Sequence, residues 1–236
     1  MTQELLDKRE ERIRRMFGEI APWYDFLNHF LSLNIDKRWR RKTTRRVPVK
    51  EGPLLDLCTG TGDLALTYRN STVKPVHIVG TDLCAEMLVR AQVKAAKNRA
   101  NIDFIEADSQ HLPFPDNTFE VTTVSFGLRN ITDPHQGLAE MVRVTKPGGK
   151  VAVLEFSKPR NRLLGGIYSF YFRRILPKIG QWLSKSRDNA YSYLPASVLQ
   201  FPDGKDLVAW MEKAGLKSVT FEPLTFGVAT LYIGQK

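Results

Sequence analysis

At 236 residues, 42% hydrophobic and 25% charged, the chain has the length of a single α/β domain with additions and the apolar content to bury a sizeable core. Its formal net charge of +10 points to an anionic surface nearby, lipid headgroups or nucleic acid. Two cysteines, Cys58 and Cys84, exclude a disulfide framework and suit a reduced, cytoplasmic protein; the charged residues 4–12 are unlike a secretory signal, and no apolar run reaches the roughly 18 residues needed to span a bilayer.

Residues 1–16 read as a surface helix charged on most sides. The next stretch, to Asp36, is dense in aromatics and carries Tyr24, Asp25, Asn28 and His29 close together. Pro22 redirects the chain, after which Asn28, His29 and Ser32 recur at helical spacing on one face. An N-terminal helical lid packed by its Phe and Trp residues is the plain reading; its polar members favour a lid over a bound ligand. Residues 37–46 form the most basic run. A solvated helix face, a lipid-headgroup contact and an RNA contact are the alternatives, and with only Trp39 interleaved the RNA reading has little support.

The centre of the chain is the run Leu54-Leu55-Asp56-Leu57-Cys58-Thr59-Gly60-Thr61-Gly62-Asp63. A short apolar strand ends in a Gly-x-Gly turn and a helix follows, the opening of an open α/β sheet; Gly60 and Gly62 let the backbone turn tightly and approach a ligand. A second strand over 78–82 ends in Asp82, placed to accept hydrogen bonds from both hydroxyls of a ribose. An adenosine ligand is implied. Gly60, Gly62 and Ala65 satisfy the dinucleotide pattern, but Asp63 would repel a pyrophosphate at the helix N-terminus. S-adenosyl-L-methionine carries an ammonium and a sulfonium instead, and carboxylates at Asp56 and Asp63 suit that cation. A third strand over 102–107 leads to Asp108, where a carboxylate accepts an adenine amino group.

A fourth strand over 121–126 runs into Gly127-Leu128-Arg129-Asn130. The loop after this strand borders the ligand crevice in a doubly wound sheet, so Ser125, Arg129 and Asn130 are placed to face cofactor and substrate. A helix over 138–144 is stopped by Lys146-Pro147-Gly148-Gly149, and 150–156 is the fifth strand. Residues 162–185 then place Leu164, Tyr168, Tyr171, Ile175, Ile179 and Trp182 on one helical stripe and Arg174, Lys178 and Lys185 on the other. That is the pattern of an interfacial helix or of an ordinary amphipathic helix packed on the domain. A helix over 203–214 closed by Gly215, and strands over 217–222 and 229–234, complete the chain. The expected fold is α/β, Rossmann-like, with a seven-stranded mostly parallel sheet, helices on both faces and the last strand antiparallel. An N-terminal helical lid spans 1–46, and the α/β cofactor-binding domain spans 47–236 with an amphipathic insertion at about 158–200.

These residues carry a resemblance. Tyr24-Asp25-x-x-Asn28-x-x-Leu31-Ser32 with Trp39, Ser125-Phe126-Gly127-Leu128-Arg129-Asn130, and Arg143-Val144-Thr145-Lys146-Pro147-Gly148-Gly149 with Leu154-Glu155-Phe156-Ser157 resemble the menaquinone/ubiquinone-biosynthesis C-methyltransferase family. That family is a branch of the class I S-adenosylmethionine-dependent methyltransferases, and the match runs from Phe17 to the C-terminus. Asp36 departs from it, standing where many members have His, as does Thr145 in place of Leu or Ile. The resemblance implies cofactor contacts at Thr61, Asp82, Asp108, Ser109 and Ser125, and methylation of a ring carbon in a lipophilic polyprenylated quinol, with no metal. In-line attack by a ring carbon requires positioning and a group that stabilises the quinolate. Tyr24, Asp25, Asn28, Arg129 and Asn130 are the candidate catalytic residues, Arg129 stabilising the quinolate and Asp25, or a water it orients, taking the proton. A basic RNA or protein methyltransferase and a non-catalytic binding module are the rival classes; the first lacks its target-base motif after the fourth strand, and the second loses the carboxylates and glycines intact here. No nucleic-acid partner is expected. Peripheral contact with an anionic membrane at its inner face is inferred from the substrate and from residues 162–185. A homodimer is compatible with the sequence.

Overall fold

The computed structural model describes residues 8–72, 74–159 and 190–236. Three helices precede the sheet: α1 (Glu10–Ile20), α2 (Tyr24–Leu31) and α3 (Ile35–Arg46), with a 3-10 turn, Ala21–Trp23, between the first two. Pro22 sits in that turn, where its missing N–H breaks the run into two helices. Strand β1 (Leu54–Leu57) is followed by α4 (Asp63–Ser71), β2 (Ile78–Asp82), α5 (Ala85–Lys97), β3 (Asp103–Glu106) and β4 (Phe119–Ser125). Then come α6 (Pro134–Val144), β5 (Thr145–Phe156), α7 (Ala190–Gln200), α8 (Lys205–Lys213), β6 (Lys217–Leu224) and β7 (Ala229–Gln235).

The seven strands lie in the order β3-β2-β1-β4-β5-β7-β6. Strands β1 to β5 are parallel, and β7 runs antiparallel between β5 and β6, as the sequence predicts. The order reverses between β1 and β4, where Leu54–Leu57 pairs with Ile78–Thr81 on one side and Val121–Val124 on the other. Ligands bind at such a switch point, beyond the carboxyl ends of the strands. Successive β1 residues point to opposite faces. Leu55 and Leu57 pack with Val124, Leu138 and Met141 on one side, and Leu54 packs with Trp39, Leu64 and Tyr68 on the other. Burial on both faces explains why the central strands read as continuous apolar runs. A third cluster, Ile13, Met16 and Ile20 against Cys84, Met87 and Tyr193, seats the lid on α5 and α7.

Several boundaries move. Helix α6 starts at Pro134 because Asp133 caps it, its carboxylate accepting from the amides of His135 (2.9 Å) and Gln136 (3.2 Å). Strand β5 begins at Thr145, so the Lys-Pro-Gly-Gly stretch lies within the strand, Gly148 adopting φ +78°. The predicted helix over 162–185 lies outside the described residues. Among those described, no helix is long and apolar enough to cross a membrane.

Candidate active site

After β1 the backbone turns through positive φ at Cys58, Gly60 and Gly62. Asp82, at the end of β2, secures the turn: its carboxylate accepts from the amides of Gly60 (2.8 Å) and Cys84 (2.9 Å). Burial raises its carboxyl, and the amides of Cys84, Gly60 and Leu83 oppose that shift. A cleft of about 670 Å³ opens over this turn, lined by Tyr24, Gly60, Asp82, Asp108, Ser109, Ser125 and Asn130 among others. Ser125 Oγ is buried with no partner among the described residues, a hydroxyl left for a ligand to satisfy. For Asp108, burial works upward, but the Gln110 amide (2.9 Å) and His111 (3.1 Å) hold it below the usual range.

Five predicted cofactor residues therefore share one cleft: Gly60, Asp82, Asp108, Ser109 and Ser125. Three do not line it. Asp56 lies beneath the loop, accepting from the hydroxyls of Thr59 (2.7 Å) and Thr123 (2.8 Å), and burial pushes its carboxyl up to about 6. Gly62 adopts φ +82° where a Cβ would press on Phe104 (3.2 Å) and Ala91 (3.3 Å), so it serves the packing of the turn. Thr61 turns to the lid, donating to Asp25 and accepting from Lys94 Nζ at 2.9 Å. Cys58 borders the cleft beside Ser109.

Asp63 departs most from expectation. Its carboxylate meets Lys94 at 2.7 Å, Arg40 at 3.6 Å and His29 at 3.7 Å, which leaves it engaged by the protein's own cations. Burial alone would raise it, yet Arg40 and Lys94 hold it below the carboxylate range. Asp25 joins the same network through Lys94 at 2.5 Å. It lines neither the cleft nor the cavity beside it.

That second cavity, about 690 Å³, shares Phe17, Tyr24 and Phe126 with the cleft and adds Asn28, Asp36, Arg40, Arg129, Phe156 and Tyr193. Tyr24 stands in both; burial raises its phenol, while a hydrogen bond with Asn28 acts against that. Phe126 and Phe156 lie with centroids 4.4 Å apart, and the Arg129 guanidinium sits over Phe156 at 5.3 Å. Arg129 donates from Nη1 to Glu155 (2.9 Å) and to the Phe126 carbonyl, while its buried Nε–H has no partner. Asn130 donates to the Phe126 carbonyl (3.3 Å) and accepts from the Tyr193 hydroxyl (3.2 Å). Asp36 accepts from Ser32 at 2.7 Å, meets His29 Nδ1 at 2.8 Å and pairs with Arg40. Burial favours its protonation, but Arg40, Ser32 and His29 hold it low.

The sequence reading passed over Glu155, Arg40 and Tyr193. Glu155 stands one residue before the end of β5, close to the place Asp82 holds on β2, and was open to the same argument; Arg40 is four residues after Asp36, the helical pairing interval. Tyr193 carries no such signal. The fold also brings ligand atoms of His29, Asp36 and Asp63 within 4.8 Å of one another, a grouping that sequence spacing did not reveal and whose carboxylates Arg40 already bridges.

A parallel sheet with a glycine turn after β1, a carboxylate ending β2 and a cleft at the switch point defines a class I methyltransferase fold. Solved structures agree. An S-adenosylmethionine-dependent methyltransferase of Thermotoga maritima superposes with a TM-score of 0.69 at 16% identity, over 95% of this chain and 99% of its own. One from Aquifex aeolicus gives 0.60 at 18%, over 83% and 88%. The chain belongs to the ubiE/COQ5 methyltransferase family, whose model matches residues 5–236. It is 46% identical to the ubiquinone/menaquinone biosynthesis C-methyltransferase UbiE of Geobacter sulfurreducens, over 100% of this chain and 93% of that protein. The demethylmenaquinone methyltransferase of Thermus thermophilus is 44% identical over 94% and 100%, and that of Deinococcus radiodurans 41% over 98% and 95%.

Proposed function

We propose that this protein uses S-adenosyl-L-methionine to methylate a ring carbon of a polyprenylated quinol, demethylmenaquinol foremost, with the corresponding benzoquinol as a second substrate. The observation that carries this reading is the apolar, aromatic second cavity joined to the cofactor cleft through Tyr24 and Phe126. Family membership and the names of the relatives support the reaction type.

The cleft fits the cofactor. Gly60, Asp82, Asp108, Ser109 and Ser125 would hold it, Ser125 offering a buried hydroxyl without a partner among the described residues. When bound, S-adenosyl-L-methionine supplies an electrophilic methyl group on sulfur. The chain's own residues position and activate the acceptor. Phe126 and Phe156, their rings tilted 33° to each other, give a quinol ring an apolar aromatic wall. The free Nε–H of Arg129 donates to a quinol oxygen and stabilises its anion, while Glu155 fixes the guanidinium in place. Tyr24 and Asn28 orient the ring from the lid, and Asn130, at the edge of the cofactor cleft, braces the loop after β4 against Tyr193. Asp25 faces Lys94, whereas Asp36 lines the acceptor cavity with His29 behind it. Asp36 therefore takes the proton-accepting role in place of Asp25. A prenylated acceptor resides in lipid, so the protein also contacts a membrane surface.

The test offers purified protein methyl-labelled S-adenosyl-L-methionine with reduced demethylmenaquinone and with the benzoquinol precursor, separately. Label in either quinol supports the reading and selects the pathway. Label in neither, with cofactor binding intact, overturns it.

A further inference from the structure

We propose that the outer face of the lid docks on an anionic bilayer surface, α2 supplying the apolar anchor and α3 the basic contact. The assignment rests on the quinol reading for its purpose, since a lipid-resident acceptor must be taken from a bilayer. Its evidence is separate. Trp23, Phe26 and Phe30 are spaced by three and four residues, the interval of one helical stripe. They are 58%, 55% and 49% exposed, and Leu33, just past the helix, is 77% exposed. The Phe26 and Phe30 rings stack 5.7 Å apart and 12° from parallel, so they form a continuous apolar ridge. Single exposed hydrophobics are ordinary; a run of four large ones on consecutive turns marks a surface that another phase or partner covers.

The opposite face of the same helix lines the acceptor cavity through Tyr24 and Asn28. Helix α2 is thus a wall one helix thick between that cavity and the outside. Docking its outer face on lipid brings the cavity to the depth of the headgroups, where aromatic side chains prefer to sit.

Charge identifies the occupant. The inner face of α3 is buried at Asp36, Trp39, Arg40 and Thr43, and its outer face exposes Lys37, Arg38, Arg41 and Arg45. Those four form no ion pair with any described residue, in contrast to Lys42 and Arg46, which Glu222 holds at 2.9 and 2.7 Å. An exposed aromatic ridge on α2, followed in the chain by a basic face of α3 with no ion pair to any described residue, matches an anionic headgroup layer over an apolar interior. A second copy fits poorly, because a two-fold contact through this face would bring two such basic helices together.

The experiment is flotation of the full chain with phosphatidylcholine vesicles and with vesicles holding about one quarter phosphatidylglycerol. The wild type is expected on the anionic vesicles, with retention falling as salt rises. Phe26→Ser/Phe30→Ser is expected to bind them about 10- to 100-fold more weakly, the effect of losing two half-buried rings. Lys37→Glu/Arg41→Glu is expected to lose at least about tenfold on anionic vesicles only. Both variants should keep the wild-type Tm and the wild-type turnover of a water-soluble, short-chain quinol. Equal retention of wild type and Phe26→Ser/Phe30→Ser, or equal wild-type retention on neutral vesicles, overturns the proposal. So does a lower Tm in Phe26→Ser/Phe30→Ser, which would mean the ridge packs on this chain. A dimer in sedimentation, or a bound RNA oligomer, lost in that variant without any vesicle retention would assign the face to those partners and overturn it too. Failure of the wild type to methylate the soluble quinol would refute the quinol reading and leave the flotation result standing; the reverse outcome refutes only the docking face.

Discussion

Arg129→Met is expected to damage the fold before it reports on chemistry. The side chains of Arg129 and Glu155 are 7% and 1% exposed and meet at 2.9 Å, so water does little to screen them. Removing the cation leaves a buried carboxylate without its counter-charge, a loss of about 3–5 kcal/mol from a total stability of about 5–15 kcal/mol. For a chain of this size that lowers Tm by about 6–20 °C. The double variant Arg129→Met/Glu155→Gln should recover most of the loss, because no buried charge remains. Its amide oxygen still accepts from the backbone N–H of residue 129 (3.2 Å to Oε1), while the Phe156 N–H, now accepted by Oε2 at 3.1 Å, faces the amide NH2 and is the part of the loss not recovered. Turnover of the double variant should nevertheless fall at least about 100-fold, since the unpartnered Nε–H is gone. Cofactor affinity should hold, because neither residue lines the cofactor cleft. Thermal unfolding, calorimetric titration with S-adenosyl-L-methionine and the labelled-methyl assay measure the three quantities. A double variant as unstable as the single one refutes the charge-pair argument, and near-normal turnover removes Arg129 from the mechanism.

Ser125→Ala removes a hydroxyl with no partner among the described residues, so Tm should stay level while the Kd for the cofactor rises about 3- to 10-fold; an unchanged Kd would leave that hydroxyl without a ligand. Asp36→Asn should lower kcat about 100-fold with cofactor affinity intact, and a wild-type kcat in that variant returns the proton acceptor to the open set. Asp56→Asn should alter the dependence of stability on pH. The native carboxyl takes its proton at about 6 against an ordinary 3.8, so the stability of the protonated form is present below pH 4 and lost as pH rises through 6. The amide should therefore match wild type near pH 4 and exceed it above pH 7 by up to about 3 kcal/mol; Tm curves of both proteins that stay parallel from pH 4 to 8 would refute the shift.

What was legible in the sequence is what the backbone imposes locally. A glycine turn after an apolar run and acidic strand ends follow from strand and turn chemistry, and Gly60, Asp82 and Asp108 indeed border one cleft. Side-chain direction was not legible. Asp25 and Asp36 are both acidic residues of the lid, yet one meets Lys94 and the other the acceptor cavity. Asp63 follows the glycine loop and reads as a cofactor ligand, but Lys94, distant in sequence, claims it. Arg129 and Glu155 come together only because β4 and β5 are neighbours in the sheet. None of these pairings leaves a local trace, so composition and spacing offered the right residue types and the wrong partners.

The same pairings bear on how the net charge of +10 is distributed. The buried face of the basic helix α3 contributes Arg40, which Asp36 and Asp63 neutralise. Across the cavity Arg129 is neutralised by Glu155, and on the lid side Lys94 is held between Asp25 and Asp63. Cations that reach the interior thus come with their counter-charges, and the walls between them are Phe17, Phe126 and Phe156. The cations of α3 that form no ion pair with any described residue, Lys37, Arg38, Arg41 and Arg45, are exposed. An anionic substrate would need an uncompensated cation in the cavity. A neutral aromatic acceptor needs none, so a cavity whose cations are already met by carboxylates suits the proposed quinol better than an anionic substrate.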